Sequence, residues 1–134
     1  MVDSIKVSAF FPGQPAERIY TAWLDSQGHT AMTGSPAEVD PVVGGKFTAW
    51  DRYIQGETMA VEPFRRILQA WRTTEFPEDS PDSRLEILIE EQNDGALVTL
   101  RHSEIPEGQG ESYRQGWEEY YFEPMKLYFS AEAG

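Results

Sequence analysis

The sequence predicts an α+β fold in which a curved antiparallel sheet grips one long C-terminal helix, with two short helices after the first strand. Three observations carry this reading. Strand-like alternation recurs through the middle of the chain in short runs joined by turn residues. Two short runs of helical spacing interrupt it after the first strand. A long closing stretch then gathers its aromatic residues on one side.

The first element is Ser4 to Phe11, where Ile5, Val7, Ala9 and Phe11 alternate with Lys6 and Ser8. Pro12-Gly13 ends it. Pro15 suits the first turn of a helix, and Ile19, Ala22 and Trp23 share one face of Pro15 to Leu24. A second short helix is expected from about Ser26 to Met32, stopped by Gly34. Gly44-Gly45 then marks a tight turn or bulge before a strand at Lys46 to Trp50. Tyr53 to Glu62, closed by Pro63, and Arg66 to Thr73 follow as strands. In the last of these, Ile67 and Trp71 compete with Leu68 and Ala70 for the inner face, so its parity stays open.

Pro77 and Pro81 bracket an acidic loop. Arg84 to Glu91 alternates cleanly, with Leu85, Ile87 and Ile89 opposite Glu86 and Glu90. Asn93-Asp94-Gly95 is a hairpin signal. Ala96 to Ser103 answers it, with Val98, Leu100 and His102 on one face. Strands joined by such short turns form an antiparallel meander. At 100° per residue, Tyr113, Trp117, Tyr120, Tyr121, Pro124 and Tyr128 form one apolar arc of Glu111 to about Phe129, with Gln115, Glu118, Glu119 and Lys126 opposite. Pro124 removes a backbone donor and should kink this helix. The sum is a helix-grip arrangement, in which the gap between sheet and helix is either a ligand cavity or a space filled by rings.

The order Gly44-Gly45-Lys46-Phe47, Gly56-Glu57, Pro63 and Arg66-Ile67-Leu68-Gln69-Ala70-Trp71-Arg72, followed by Arg114-Gln115-Gly116-Trp117-Glu118-Glu119-Tyr120-Tyr121-Phe122-Glu123-Pro124, resembles the C-terminal domain of the Hsp90 ATPase activators. That family sits within the superfamily of START, polyketide-cyclase and birch-pollen-allergen-like (Bet v 1-like) proteins. The resemblance covers nearly the whole chain, and its specific part is the string from Arg114 to Pro124. It implies the helix-grip fold with a seven-stranded or similar sheet over 1–134 as one domain. Full-length eukaryotic activators also carry an N-terminal domain with an Asn- and Trp-rich motif; Asn93 is the only Asn of this chain. Short relatives in the superfamily look like small-molecule binders, and other members carry cyclase, hydrolase or dehydratase chemistry in the same cavity.

Composition narrows the functions. At 134 residues with 40% apolar content, four Trp, six Tyr and seven Phe, the chain supports one aromatic-rich core. It has no cysteine, which excludes disulfides, thiolate metal sites and Cys nucleophiles. Met1 to Phe11 is too short and polar for a signal peptide, and no run approaches the roughly 20 apolar residues of a membrane span. A cytoplasmic protein without a membrane partner is therefore expected. The net charge of −12 repels phosphate backbones, so nucleic acid is not an expected partner; the same charge would suit a basic or apolar partner surface or simple solubility.

Chemistry-bearing motifs are sparse. Gly45-Lys46 lacks the surrounding residues of a phosphate loop. His29 and His102 have no metal-ligand spacing, and no cofactor is called for. His29 is expected to be exposed in the second short helix. Neighbouring pairs such as Glu90-Glu91 and Glu118-Glu119 point apart, the Glu75, Glu78, Asp79 and Asp82 loop does not match a calcium site, and no nucleophile elbow is present. His102 shares the inner face with Val98 and Leu100 and either lines a cavity or is a hydrogen-bonded core histidine. Trp23, Phe47, Trp50, Tyr53, Trp71, Trp117, Tyr120 and Tyr121 either converge with it on a ligand space or fill the core. The candidate ligand-binding set is Trp23, Phe47, Trp50, Trp71, His102, Trp117, Tyr120 and Tyr121. Three functions follow: a binding domain for a small apolar or amphipathic ligand, a co-chaperone-like partner of an Hsp90-type chaperone, or an enzyme using His102 with a Tyr or Glu.

Overall fold

Alternating burial along each strand builds one curved sheet. The computed structural model describes residues 2–133. The strands are β1 (Val2–Pro12), β2 (Glu38–Val39), β3 (Lys46–Ala49), β4 (Ile54–Glu62), β5 (Arg66–Thr73), β6 (Ser83–Gln92) and β7 (Gly95–Pro106). They form a seven-stranded sheet in the order β1-β7-β6-β5-β4-β3-β2, with every neighbouring pair antiparallel. Register aligns the inner side chains in rows. Val7 lies opposite Leu100, Leu100 opposite Ile87, and Ile87 opposite Ile67. All four are buried, so the row is a continuous apolar band across four strands.

The parity of β5 is resolved in favour of Ile67, Gln69, Trp71 and Thr73, which are buried on the inner face. The buried amide of Gln69 is matched across the sheet, donating to Thr58 Oγ1 at 3.3 Å. Trp71 lies opposite Gly56, which lies opposite Phe47. A Cβ on Gly56 would sit 1.9 Å from the Ala70 carbonyl and 2.7 Å from the Phe47 ring. Only glycine lets that ring lie across the strand. The β6–β7 turn is the two residues Asn93-Asp94, with Asn93 at φ 45°.

Helix α1 (Ala16–Trp23) begins one residue after Pro15 and buries Ile19, Ala22 and Trp23. Helix α2 (Ser26–Thr33) is capped by Asp25, which accepts from the Gly28 N–H at 2.8 Å, and ends at Gly34 with φ 81°. His29 corrects an expectation: it is 3% exposed, in contact with Trp23 and the terminal helix.

The terminal helix has three parts: α3 (Gly110–Gly116), a π turn (Trp117–Phe122) and α4 (Glu123–Ala133). The helix departs from α geometry ahead of Pro124, in that π turn, where the Glu123 N–H bonds the Glu118 carbonyl five residues back. The turn holds one extra residue, so the buried stripe changes phase across it. Before and within the turn, Tyr113, Trp117 and Tyr121 are buried as the arc requires, while Tyr120 is 56% exposed. From the last residue of the turn onward, Phe122, Met125 and Phe129 replace Pro124 and Tyr128 on the inner side. A constant 100° per residue misplaces these positions because the helix is not α throughout.

Candidate functional site

Between the β3–β4 tip, β5 and the first half of the terminal helix lies a pocket of about 240 Å³. Trp50, Tyr53 and Ile54 come from the strand tip, Trp71 from β5, and Tyr113, Gly116, Trp117, Tyr120 and Tyr121 from the helix. The rings meet mostly edge-on or tilted. Trp71 and Tyr113 lie 5.1 Å apart, Trp117 and Tyr121 4.7 Å, and Trp50 and Tyr120 5.5 Å at the mouth. A second hollow of about 380 Å³ runs between α1, α2 and α4. It is a groove edged by Glu17, Arg18 and Asp25, lacking the enclosing rings of the first. The smaller, ring-walled pocket has the character of a small-molecule site.

Of the candidate set, Trp50, Trp71, Trp117, Tyr120 and Tyr121 line this pocket. Trp23, Phe47 and His102 lie behind its wall. Trp23 stacks on Tyr121 at 5.2 Å, and His102 meets Trp71 edge-on at 4.5 Å. Phe47 is buried beneath Gly56. Ile54, Tyr113 and Gly116 complete the lining without having been assigned to it. Tyr113 was traceable, since it precedes Trp117 by one helical turn on the same arc. Tyr53 belongs to the wider ring set and takes its place at the tip.

Hydrogen bonds orient the rings. The Trp117 indole N–H donates to His102 Nδ1 at 3.1 Å. That nitrogen is therefore unprotonated, so Nε2 carries the hydrogen and donates to Ser83 Oγ at 2.8 Å. Ser83 in turn donates to the Trp71 carbonyl at 2.9 Å. Burial pushes the His102 pKa down to about 3, keeping the ring neutral. His29 has the opposite tautomer. Its Nδ1 donates to the Trp23 carbonyl at 2.9 Å and its Nε2 accepts from the Tyr121 hydroxyl at 2.7 Å. Burial lowers its pKa to about 4, the Trp23 bond opposing, and raises that of Tyr121. Tyr113 donates to Gln109 Oε1 at 2.7 Å and accepts from Thr73 Oγ1 at 2.6 Å. The Tyr53 hydroxyl donates to the exposed carboxylate of Glu75. Burial first, and that carboxylate second, hold its pKa above the ordinary phenol range.

The strand tip is strained. Trp50, Asp51 and Arg52 have φ of 52°, 54° and 71°, three consecutive non-glycine residues in the left-handed region. Each such residue costs on the order of 1 kcal/mol. The tip is tied by the Asp51 N–H to the Pro36 carbonyl and the Tyr53 N–H to the Trp50 carbonyl, both 3.1 Å. It carries Trp50 over the pocket, with an indole N–H that is buried and without a partner among the described residues. Among the described residues no helix is long and apolar enough to cross a membrane.

Residues 14–130 match the family model for activator of Hsp90 ATPase homolog 1-like protein. A human relative, activator of 90 kDa heat shock protein ATPase homolog 1, is 29% identical over 113 residues, covering 84% of this chain and 33% of the relative. The chain thus spans about a third of the length of the curated relatives it matches. Among solved structures, an HSP90 activator from Plasmodium falciparum superposes with a TM-score of 0.82 at 24% identity, covering 92% of this chain and 94% of that one. CalU16 from Micromonospora echinospora superposes with a TM-score of 0.79 at 24% identity, covering 98% and 78% respectively. At these identities the two structures establish the shared fold.

Proposed function

The chain belongs to the activator of Hsp90 ATPase homolog 1-like family, and from that premise we propose that it holds a small, apolar or amphipathic molecule beneath the first half of its terminal helix. One observation carries the reading: a ring-lined space of about 240 Å³ persists where that helix lies over the sheet. Its aromatic walls offer dispersion contacts to an occupant of the right shape. The volume lies just under the roughly 300 Å³ at which drug-sized sites begin, which suits a compact ligand. Native mass spectrometry of the purified protein should reveal a co-purifying small molecule. Titration with neutral hydrophobic probes should change the emission of Trp50, Trp71 and Trp117. A protein that carries no adduct and whose emission answers to no probe would end this proposal.

A partnership with an Hsp90-type chaperone is the second reading. The family match and the similarity to a human activator of 90 kDa heat shock protein ATPase favour it, and the net charge of −12 would steer a basic partner face. The test is a titration with the chaperone at low salt, where absence of binding removes it. An enzymatic role for His102 has less behind it. Both ring nitrogens are engaged, the ring stays neutral at pH 7, and it lies behind the wall of the pocket.

A further inference from the structure

The pocket is unusual in what it withholds from a ligand. Tyr113, Trp117 and Tyr121 line it with their rings while their donors are spent elsewhere: on Gln109, His102 and His29. The Tyr53 hydroxyl is spent on Glu75. The unpartnered Trp50 N–H is covered by neighbouring atoms and not presented at the pocket surface. Tyr120, 56% exposed at the mouth, has the one lining hydroxyl left without a hydrogen bond among the described residues; apart from it, an anion, or a ligand that needs donors, finds no free hydroxyl in the pocket wall.

What the pocket offers is aromatic face and negative potential. Seven rings line it, and a ring that presents its electron-rich face attracts a cation within about 6 Å. The Glu75 carboxylate stands behind Tyr53 and forms no ion pair among the described residues; burial first, and this carboxylate as a smaller cause, raise the pKa of both Tyr53 and Tyr113. Its charge is therefore felt along the pocket wall. The whole chain, at −12, adds a field of the same sign.

We infer that the occupant is a cation carried on an apolar body, a tertiary or quaternary amine seated among the rings with its charge towards the Tyr53–Glu75 edge. This rests on the reading that the pocket holds a ligand, and adds the ligand's charge to it. A neutral body of the same shape gains only dispersion and desolvation; the cation gains the ring faces and the carboxylate as well.

The test compares benzyltrimethylammonium with neopentylbenzene, its uncharged carbon isostere, and with benzenesulfonate, by tryptophan fluorescence and calorimetry at low salt. The cation is expected to bind roughly tenfold or more tighter than the isostere, and the sulfonate not at all. Glu75→Gln, an exposed substitution whose folding is checked by thermal melting, should weaken the cation about threefold and leave the isostere unchanged. Equal affinity for cation and isostere would overturn the inference while leaving the ligand pocket standing. A cation preference that Glu75→Gln does not touch would remove the carboxylate from it. No binding by any of the three probes would overturn this inference and the pocket proposal together.

Discussion

The two halves of the terminal helix bury aromatic residues against the same sheet in different ways. In the first half, each buried ring has a polar handle, and each handle is tied: Tyr113 to Thr73 and Gln109, Trp117 to His102, Tyr121 to His29. In the second half, Phe122, Met125 and Phe129 have no handle and pack by shape, with Phe122 and Phe129 edge-on to Phe11 at 6.2 and 5.9 Å. A ring whose donor must reach a partner takes its angle from that bond, and neighbouring rings then need not close on one another. A ring without a donor turns until it fills space. Polar ties thus accompany the ring-lined pocket of the first half, while in the second half Phe122 and Phe129 pack directly on Phe11. The π turn divides the two regimes.

The largest expected effect breaks the close-packed half. Phe129 is 1% exposed, and Phe129→Ala removes its ring from both Phe11 and the Arg18 guanidinium above it. Urea unfolding should show a loss of about 3–5 kcal/mol. A loss under about 1 kcal/mol would mean this half does not close by shape.

The ties of the other half can be loosened with acid. His29 and His102 titrate near 4 and 3 when folded, against 6.5 for an unperturbed histidine. Folded values below the unfolded one mean that the unfolded chain takes up protons first. Their contribution is complete above pH 6.5 and is lost as pH falls towards 4 and then 3. Between pH 7.5 and 5.5 the pair should remove on the order of 2–3 kcal/mol of stability. Histidine resonances followed by NMR should show neither ring protonating above pH 5. A ring that titrates near 6.5 in the folded protein would contradict the tie drawn from it.

Much of this was legible beforehand, for reasons that differ between elements. Leu85, Ile87 and Ile89 alternate with charged residues, and Asn93-Asp94-Gly95 specifies its own turn, so β6 and β7 could be read directly. Strand β2, Glu38–Val39, is too short to have a period. The phase of α4 was misread because no local residue pattern announces an i→i−5 bond. The burial of His29 was invisible in the polar run Ser26-Gln27-Gly28-His29-Thr30, since its partners, the Trp23 carbonyl and Tyr121, are supplied by the tertiary fold. The pocket wall was legible only as a set of rings. Which rings face the space depends on bonds such as Trp117 to His102, which link distant elements.

Cutting one tie alone sharpens the comparison. Trp117→Phe keeps an aromatic ring in place but leaves His102 Nδ1 buried without a donor. The expected cost is about 1–3 kcal/mol, together with a change in ligand affinity, because Trp117 is also wall. A substitution that costs nothing would show that Trp117 is placed by packing, as the residues of the second half are.

The smallest effect has the opposite sign. Gly116 has helical backbone angles, φ −61° and ψ −41°, and lines the pocket. An added Cβ would meet only the Tyr120 ring, at 3.9 Å. In a close-packed helix face such a glycine would be there to avoid a clash; here there is room for a methyl group. Gly116→Ala should therefore raise stability by about 0.5–1 kcal/mol through the lower entropy of the unfolded chain. It should also weaken binding of any ligand that fills the pocket, since the methyl group takes up part of the space. Thermal melting and probe titration on one sample read both effects. Greater stability with unchanged affinity would mean that the ligand does not reach the helix at Gly116, and lower stability would mean that the space there is smaller than it stands in this structure.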